Sequence, residues 1–159
     1  MRTRTVLWIA GILLAVLFLG MQSRRPNFAL ASVDPRATLE AQLHPDAEVH
    51  NALRQSCYSC HSAEVSIPWY GHVWPTSVLL QNDIRRGRAH LDFSNWSNLS
   101  PEMAHIRLIG ACRQMRADEM PLWYYRIVHP GATPDDREVE AFCSWVQSMQ
   151  PAPNVAGLR

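Results

Sequence analysis

The chain has 159 residues and a mass of 18.1 kDa, enough for one domain plus a short extra element but not for two independently folded domains. Hydrophobic residues make up 47% of it, so a core is available, and eleven prolines with six tryptophans point to short helices joined by ordered turns. Four of the 15 basic residues and none of the 14 acidic ones precede residue 31, so the remainder carries a net charge of −3 with histidines neutral, which argues against a nucleic-acid partner.

The first element is Val6 to Met21, VLWIAGILLAVLFLGM, a continuous apolar run between Arg2/Arg4 and Arg24/Arg25. This is the layout of an export signal or a minimal membrane anchor. A helix confined to that run spans roughly 24 Å, a little short of a hydrocarbon core of about 30 Å, and flanking arginines can snorkel to make up the difference. The Ala29-Leu30-Ala31 triplet is a candidate peptidase site, set awkwardly far from the apolar run by Arg24, Arg25 and Pro26. An uncleaved anchor is the favoured reading, with cleavage to a soluble form as its rival. Two arginines stand on each side, so charge alone hardly orients the segment.

From Arg36 to Gln55, the apolar residues Leu39, Leu43, Ala47, Val49, Ala52 and Leu53 form an imperfect helical stripe interrupted by Pro45. A helix from about residue 46 delivers Leu53 and then Cys57-Tyr58-Ser59-Cys60-His61 at or just beyond its end. The aromatic, proline-punctuated stretch SIPWYGHVWP at 66–75 reads as an ordered turn. Val78, Leu79, Ile84 and Leu91 mark the apolar side of a second helix with Asp83, Arg85, Arg86 and Arg88 opposite, and LDFSNWSNLSP then reads as a loop. Ser100 before Pro101 caps a third helix spaced by Met103, Ile106, Ile109 and Arg113. Thr133-Pro134-Asp135-Asp136 opens a last helix with a threonine N-cap, packed through Val139, Phe142, Cys143, Val146 and Met149. No strand alternation or internal repeat is present. The expected fold is all-α: residues 1–30 an export signal or anchor with its juncture, and 31–159 a small helical domain with a flexible C-terminal tail.

CYSCH carries the chemistry. Two thiols at this spacing can add across the two vinyl groups of a porphyrin while the adjacent imidazole reaches the iron from the same side. Cys57 and Cys60 would then form thioethers to one haem c, and His61 would be the proximal ligand. A redox dithiol uses the same C-x-x-C but normally needs a βαβ context, and a zinc site would need a further ligand such as Cys112, Cys143 or another histidine. Haem attachment of this kind takes place outside the cytoplasm, which would leave the N-terminus inside and the domain periplasmic. For the sixth ligand the best candidate is Met120 in DEMPLWYY, in a turn fixed by Pro121. Met115, Met103 and His72 are the alternatives. His129 reads as a structural or propionate contact, and His44, His50, His90 and His105 as solvated, capping or packed side chains.

CYSCH at 57–61, PWYGHVWPTSVLLQNDIRRGRAHLDFSNW at 68–96, EMP at 119–121 followed by Tyr125, HPGA at 129–132 and RRPN at 24–27 together resemble the small haem-binding domain family of bacterial monohaem c-type proteins. The resemblance implies an exported haem carrier, with Cys57 and Cys60 as thioether positions, His61 as proximal ligand and Met120 at the family's Met-Pro position. It names no electron donor or acceptor. Cys112 and Cys143 fall outside that pattern. Both lie on helix faces in an oxidising compartment, so a disulfide between the third and last helices is expected, with two separate buried thiols as the alternative.

The function expected is one-electron transfer between redox partners, a redox protein or membrane redox complex, by a cytochrome c-like protein tethered to the membrane through residues 6–21. A fixed haem subunit of a membrane complex, or a haem-based redox or gas sensor, is the alternative. An electron carrier is favoured over a stand-alone enzyme, because no distal acid–base pair is evident. Trp69, Tyr70, Trp74, Trp96 and Trp123 are candidates for the haem pocket, with ordinary core packing as the competing reading of each. Arg85, Arg86 and Arg88 could neutralise propionates or steer an acidic partner.

Overall fold

The computed structural model describes residues 2–23, 26–28 and 32–149. Arg24 and Arg25, the Ala29-Leu30-Ala31 triplet and the tail from residue 150 lie outside the described residues. Among the described residues the protein is all-helical, with eight α-helices linked by short 3-10 turns and no strand.

Helix α1 (Arg2–Gln22) is apolar on every side and buries none of its side chains. It is longer than the apolar run itself: 21 residues give about 32 Å, long enough and apolar enough to cross a membrane. After it, Asp34 caps a 3-10 turn (Pro35–Ala37), Thr38 caps α2 (Leu39–Leu43) and Asp46 caps α3 (Ala47–Ser56), each through its side-chain oxygen. The break between α2 and α3 falls at His44, in the left-handed region at φ 48°, and Pro45. One further turn, α4 (Tyr58–His61), holds CYSCH.

The SIPWYGHVWP stretch forms a 3-10 turn (Trp69–His72) leading into α5 (Thr76–His90). The packed side of α5 is the expected one only in part. Ile84 and Leu91 are buried as expected, joined by Ser77, and Leu80 meets Gly71, whereas Val78 and Leu79 are 43% and 48% exposed. Small residues at Ser77 and Gly87 let this face approach its neighbours closely, and that outweighs the bulk of Val78 and Leu79 one position round the helix. The stretch expected to be a loop is instead a helical segment (Phe93–Asn98) that buries Phe93, Ser94 and Trp96. Asp92 holds it, its carboxylate accepting from the Ser94 amide at 2.9 Å and the Asn95 side chain at 2.6 Å.

Ser100 caps α6 (Pro101–Arg116) as the sequence indicates. Its buried stripe is Ala104, Leu108 and Cys112, while Met103 and Ile106 face outward. The partner selects that stripe: α6 packs on α8 (Asp136–Ser148), and the Cys112 and Cys143 sulfurs stand 2.04 Å apart, at disulfide distance. Asp135 rather than Thr133 caps α8, because its carboxylate accepts from the Glu138 amide at 2.8 Å and the Glu138 carboxylate accepts from the Asp135 amide at 2.9 Å. Phe142, Cys143 and Val146 are buried as expected, with Val139 and Met149 packed at the edge. Between α6 and α8 lie α7 (Trp123–Val128) and a 3-10 turn (Pro130–Ala132). The core gathers Leu39, Val49, Leu53, Tyr58, Phe93, Trp96, Leu108 and Phe142, placing CYSCH against one side of it.

Candidate functional site

Cys57 ends α3 and begins α4, its amide donating to the Leu53 carbonyl at 2.9 Å. The turn is locked immediately after His61. Ser62, fully buried, donates its hydroxyl to the Tyr58 carbonyl at 2.9 Å and accepts from the Glu64 amide, while the Ala63 amide donates to the Ser94 hydroxyl at 2.8 Å. Packing against α5 completes the frame. A Cβ placed on Gly87 would stand 3.1 Å from the Cys60 carbonyl oxygen and 3.4 Å from His61 Cε1, so glycine is what allows the two helices this approach.

His61 is held in one tautomer. Its Nδ1 lies 2.9 Å from the Leu91 carbonyl, an acceptor only, so Nδ1–H donates. Burial lowers the pKa of the ring, partly opposed by hydrogen bonding to the backbone of Leu91 and Gly87, and a neutral ring with a proton on Nδ1 carries its lone pair on Nε2. Orientation of an imidazole by a carbonyl through its other nitrogen is the arrangement that suits a metal ligand. Phe93, 5.9 Å from the His61 ring, backs it from the core.

Cys57 and Cys60 are both free thiols. Burial, with Cys60 adding to it, pushes the Cys57 pKa up to about 12, and burial together with nearby Asp83 pushes Cys60 up to about 11 against the effect of Arg88. A nucleophilic redox dithiol needs the opposite shift and a strand-bearing context, and this site has neither. Nor is it a zinc site by composition: among the described residues no three His, Cys, Asp or Glu side chains gather to hold a metal ion, and the two other cysteines are paired with each other.

Two phenols lie close enough to Cys60 to feel its charge. Burial raises the pKa of Tyr70, whose hydroxyl is hydrogen-bonded to His129 Nε2, and His129 in turn stacks on Tyr125 at 4.3 Å. Burial and Asp83 push Tyr124 up to about 12, its hydroxyl donating to Asp83 Oδ2 at 2.8 Å. Trp69, 79% exposed, and Trp123, 66% exposed, each stand edge-on to one of these tyrosines, at 5.9 and 5.5 Å. The other two tryptophans considered for the pocket are placed elsewhere. Trp96 is buried in the core 6.3 Å from Phe93, and Trp74 packs beside Leu14, Leu17, Phe18 and Met21 of α1.

Met120 sits in the turn between α6 and α7. Asp118, at φ 57°, ends α6, and the amides of Glu119 and Met120 both donate to the Gln114 carbonyl. Arg126 pairs with the Asp118 carboxylate and holds its pKa low, tying the turn to α7. The Met120 side chain lines a surface groove of about 420 Å³ with Met115, Pro134, Val139 and charged neighbours, and no CYSCH residue belongs to that groove. Of the arginines considered, Arg85 bonds Asn82, Arg86 is exposed, and Arg88 reaches the Phe28 carbonyl at 3.4 Å and lies near Cys60.

Sequence reasoning gave no site role to Gly87, Leu91, Phe93 or Tyr124. A lone glycine within an otherwise helical pattern was the available signal for Gly87. Leu91 acts through its backbone, which no side-chain pattern reports.

The donor set fits haem: two unbonded thiols, an imidazole of fixed tautomer with Nε2 available, and aromatic rings beside them. No curated protein and no solved structure matches the chain closely enough to count as a relative. A family does: residues 11–148 match the haem-binding domain, and the chain belongs to that family.

Proposed function

We propose that this haem-binding protein is a membrane-anchored monohaem c-type cytochrome that passes single electrons between redox partners on the outer face of a bacterial inner membrane. The observation that carries the reading is His61: its Nδ1 is committed to the Leu91 carbonyl, which leaves Nε2, on the residue that follows the free thiol Cys60, as the ligand. Cys57 and Cys60 would hold the porphyrin through thioethers. The bound group would supply reversible one-electron chemistry.

The chain's own residues do the rest. Ser62, Ser94 and Gly87 fix the CYSCH turn, so the imidazole is oriented in advance. Tyr70, Tyr124 and Trp123 would shield the site from water and so help set the potential. Met120 is proposed as the second residue that would hold the iron. α1 would keep the domain on the membrane surface, raising its effective concentration toward membrane partners.

The position of Met120 in a groove shared with Met115 and Val139 favours one second reading, a redox or gas sensor whose distal position is open. Absorption and low-temperature EPR spectra of the haem-loaded chain and of Met120→Ala, in both oxidation states and with carbon monoxide, separate the two. Low-spin spectra with a sulfur-to-iron charge-transfer band that the variant loses support the carrier. High-spin ferrous protein that takes up carbon monoxide before any substitution supports the sensor.

A further inference from the structure

The junction between α1 and the domain is built more firmly than a tether requires. The Gln22 side chain pairs with the backbone of Trp74 in both directions, its Oε1 accepting from the Trp74 amide at 3.0 Å and its Nε2 donating to the Trp74 carbonyl at 3.3 Å. Gln81 donates to the Asn27 carbonyl, and the Phe28 ring stands edge-on to His72 at 6.3 Å. These contacts lay the segment after α1 along the 69–72 turn and α5.

The Trp74 side chain shares an apolar groove of about 430 Å³ with Leu14, Leu17, Phe18 and Met21. At 1.5 Å per residue, Leu14 to Met21 covers about 10 Å of helix axis. A side chain beside the last two turns of a spanning helix lies at the depth of the headgroup and outer acyl region, where tryptophan is favoured. The chain around Trp74 suits the same environment. Residues 65–82 contain no Asp, Glu, Lys or Arg, and Trp69, Val78 and Leu79 of this stretch are exposed.

We propose that this surface, centred on Trp74 and bearing Trp69, Val78 and Leu79, is a membrane seat: the domain rests directly on the lipid boundary layer around α1 instead of swinging from it. The inference rests on the reading of α1 as a retained anchor. Its occupant is lipid because Trp74 shares an apolar groove with the outer turns of α1, the stretch around it is free of Asp, Glu, Lys and Arg over 18 residues, and its backbone is tied to the helix end by paired hydrogen bonds. A seated domain holds one fixed face toward the bilayer, so partners approach the remaining faces.

The test places the photoreactive residue p-benzoylphenylalanine at Trp69, Val78 or Leu79, with Arg137 on α8 as an exposed reference, in the full haem-loaded chain reconstituted in phosphatidylethanolamine–phosphatidylglycerol vesicles. After irradiation, phospholipid adducts are read by mass spectrometry. Adducts at 69, 78 and 79 and none at 137 are expected. Absence of adducts at all three, or adducts to protein in place of lipid, overturns the seat. Alkaline carbonate extraction is run in parallel: a chain that stays in the membrane without lipid adducts loses the seat and keeps the anchor, whereas a chain released by carbonate loses both.

Discussion

The two cysteine pairs show how differently one residue type can be used in a single small domain. Cys57 and Cys60 are three positions apart and unbonded, on a one-turn helix beside an imidazole. Cys112 and Cys143 are separated by 31 positions and bridge α6 to α8, with Cα atoms 5.3 Å apart. Surroundings separate the two roles. The first pair lies between α3 and α5 next to His61, Tyr70 and Tyr124, where chemistry can reach it. The second is enclosed by Leu108, Phe142 and Val146 and does structural work. If both pairs occupied an oxidising compartment, the close pair would need a fate other than a disulfide, and thioether formation provides one.

The sharpest way to break this comparison is to remove the close pair. Cys57→Ser with Cys60→Ser is expected to abolish covalent haem, read as complete loss of haem staining on a denaturing gel, while the bridged pair keeps its altered mobility on reduction. Removing the bridge should do the converse. Cys112→Ala with Cys143→Ala is expected to lower stability by about 3 to 4 kcal/mol in urea unfolding, the chain-entropy value for a loop of 31 residues, with haem stain retained.

Smaller effects sharpen the picture of the frame. Gly87→Val places branched carbon against the Cys60 carbonyl and the His61 ring and should cost roughly 1–3 kcal/mol, with a shifted haem absorption spectrum because the imidazole must move. The smallest change concerns Glu40, which accepts from Arg54 at 2.7 and 2.8 Å. Burial raises its pKa, but the hydrogen bonds from Arg54 and the Arg54 charge outweigh this and leave it below its ordinary 4.5. A depressed carboxyl pKa gives stability that is present above about pH 4.5 and is lost as pH falls through the folded value. Glu40→Gln is therefore expected to cost less than about 1 kcal/mol at neutral pH and to flatten the acid limb of a stability–pH curve.

Much of this was legible in the residues. The cap at Ser100, the helix start near residue 46, the break at Pro45 and the packed face of α8 follow from local side-chain chemistry, so the sequence carries them. CYSCH is equally visible in the sequence, although its chemistry depends on its surroundings as well as on spacing. Ile84 and Leu91 are buried as read, but Val78 and Leu79 of α5 and Met103 and Ile106 of α6 face outward, because burial there is set by tertiary partners: Gly71 and α4 for the first helix, Cys143 for the second. The stretch at 93–98 looked like a loop by composition, yet Phe93 and Trp96 at a separation of three gave it a buried side. Leu91 escaped for a different reason, since its contribution is a carbonyl that every residue possesses.

The most direct measurement is a thiol count on the purified, haem-loaded chain. The denatured protein is alkylated before and after reduction, and intact mass is recorded. The account predicts a mass increased by one haem, no alkylated cysteine before reduction, and two after it, both mapping to Cys112 and Cys143. Alkylation of Cys57 and Cys60 without reduction, with haem lost on denaturation, would contradict it.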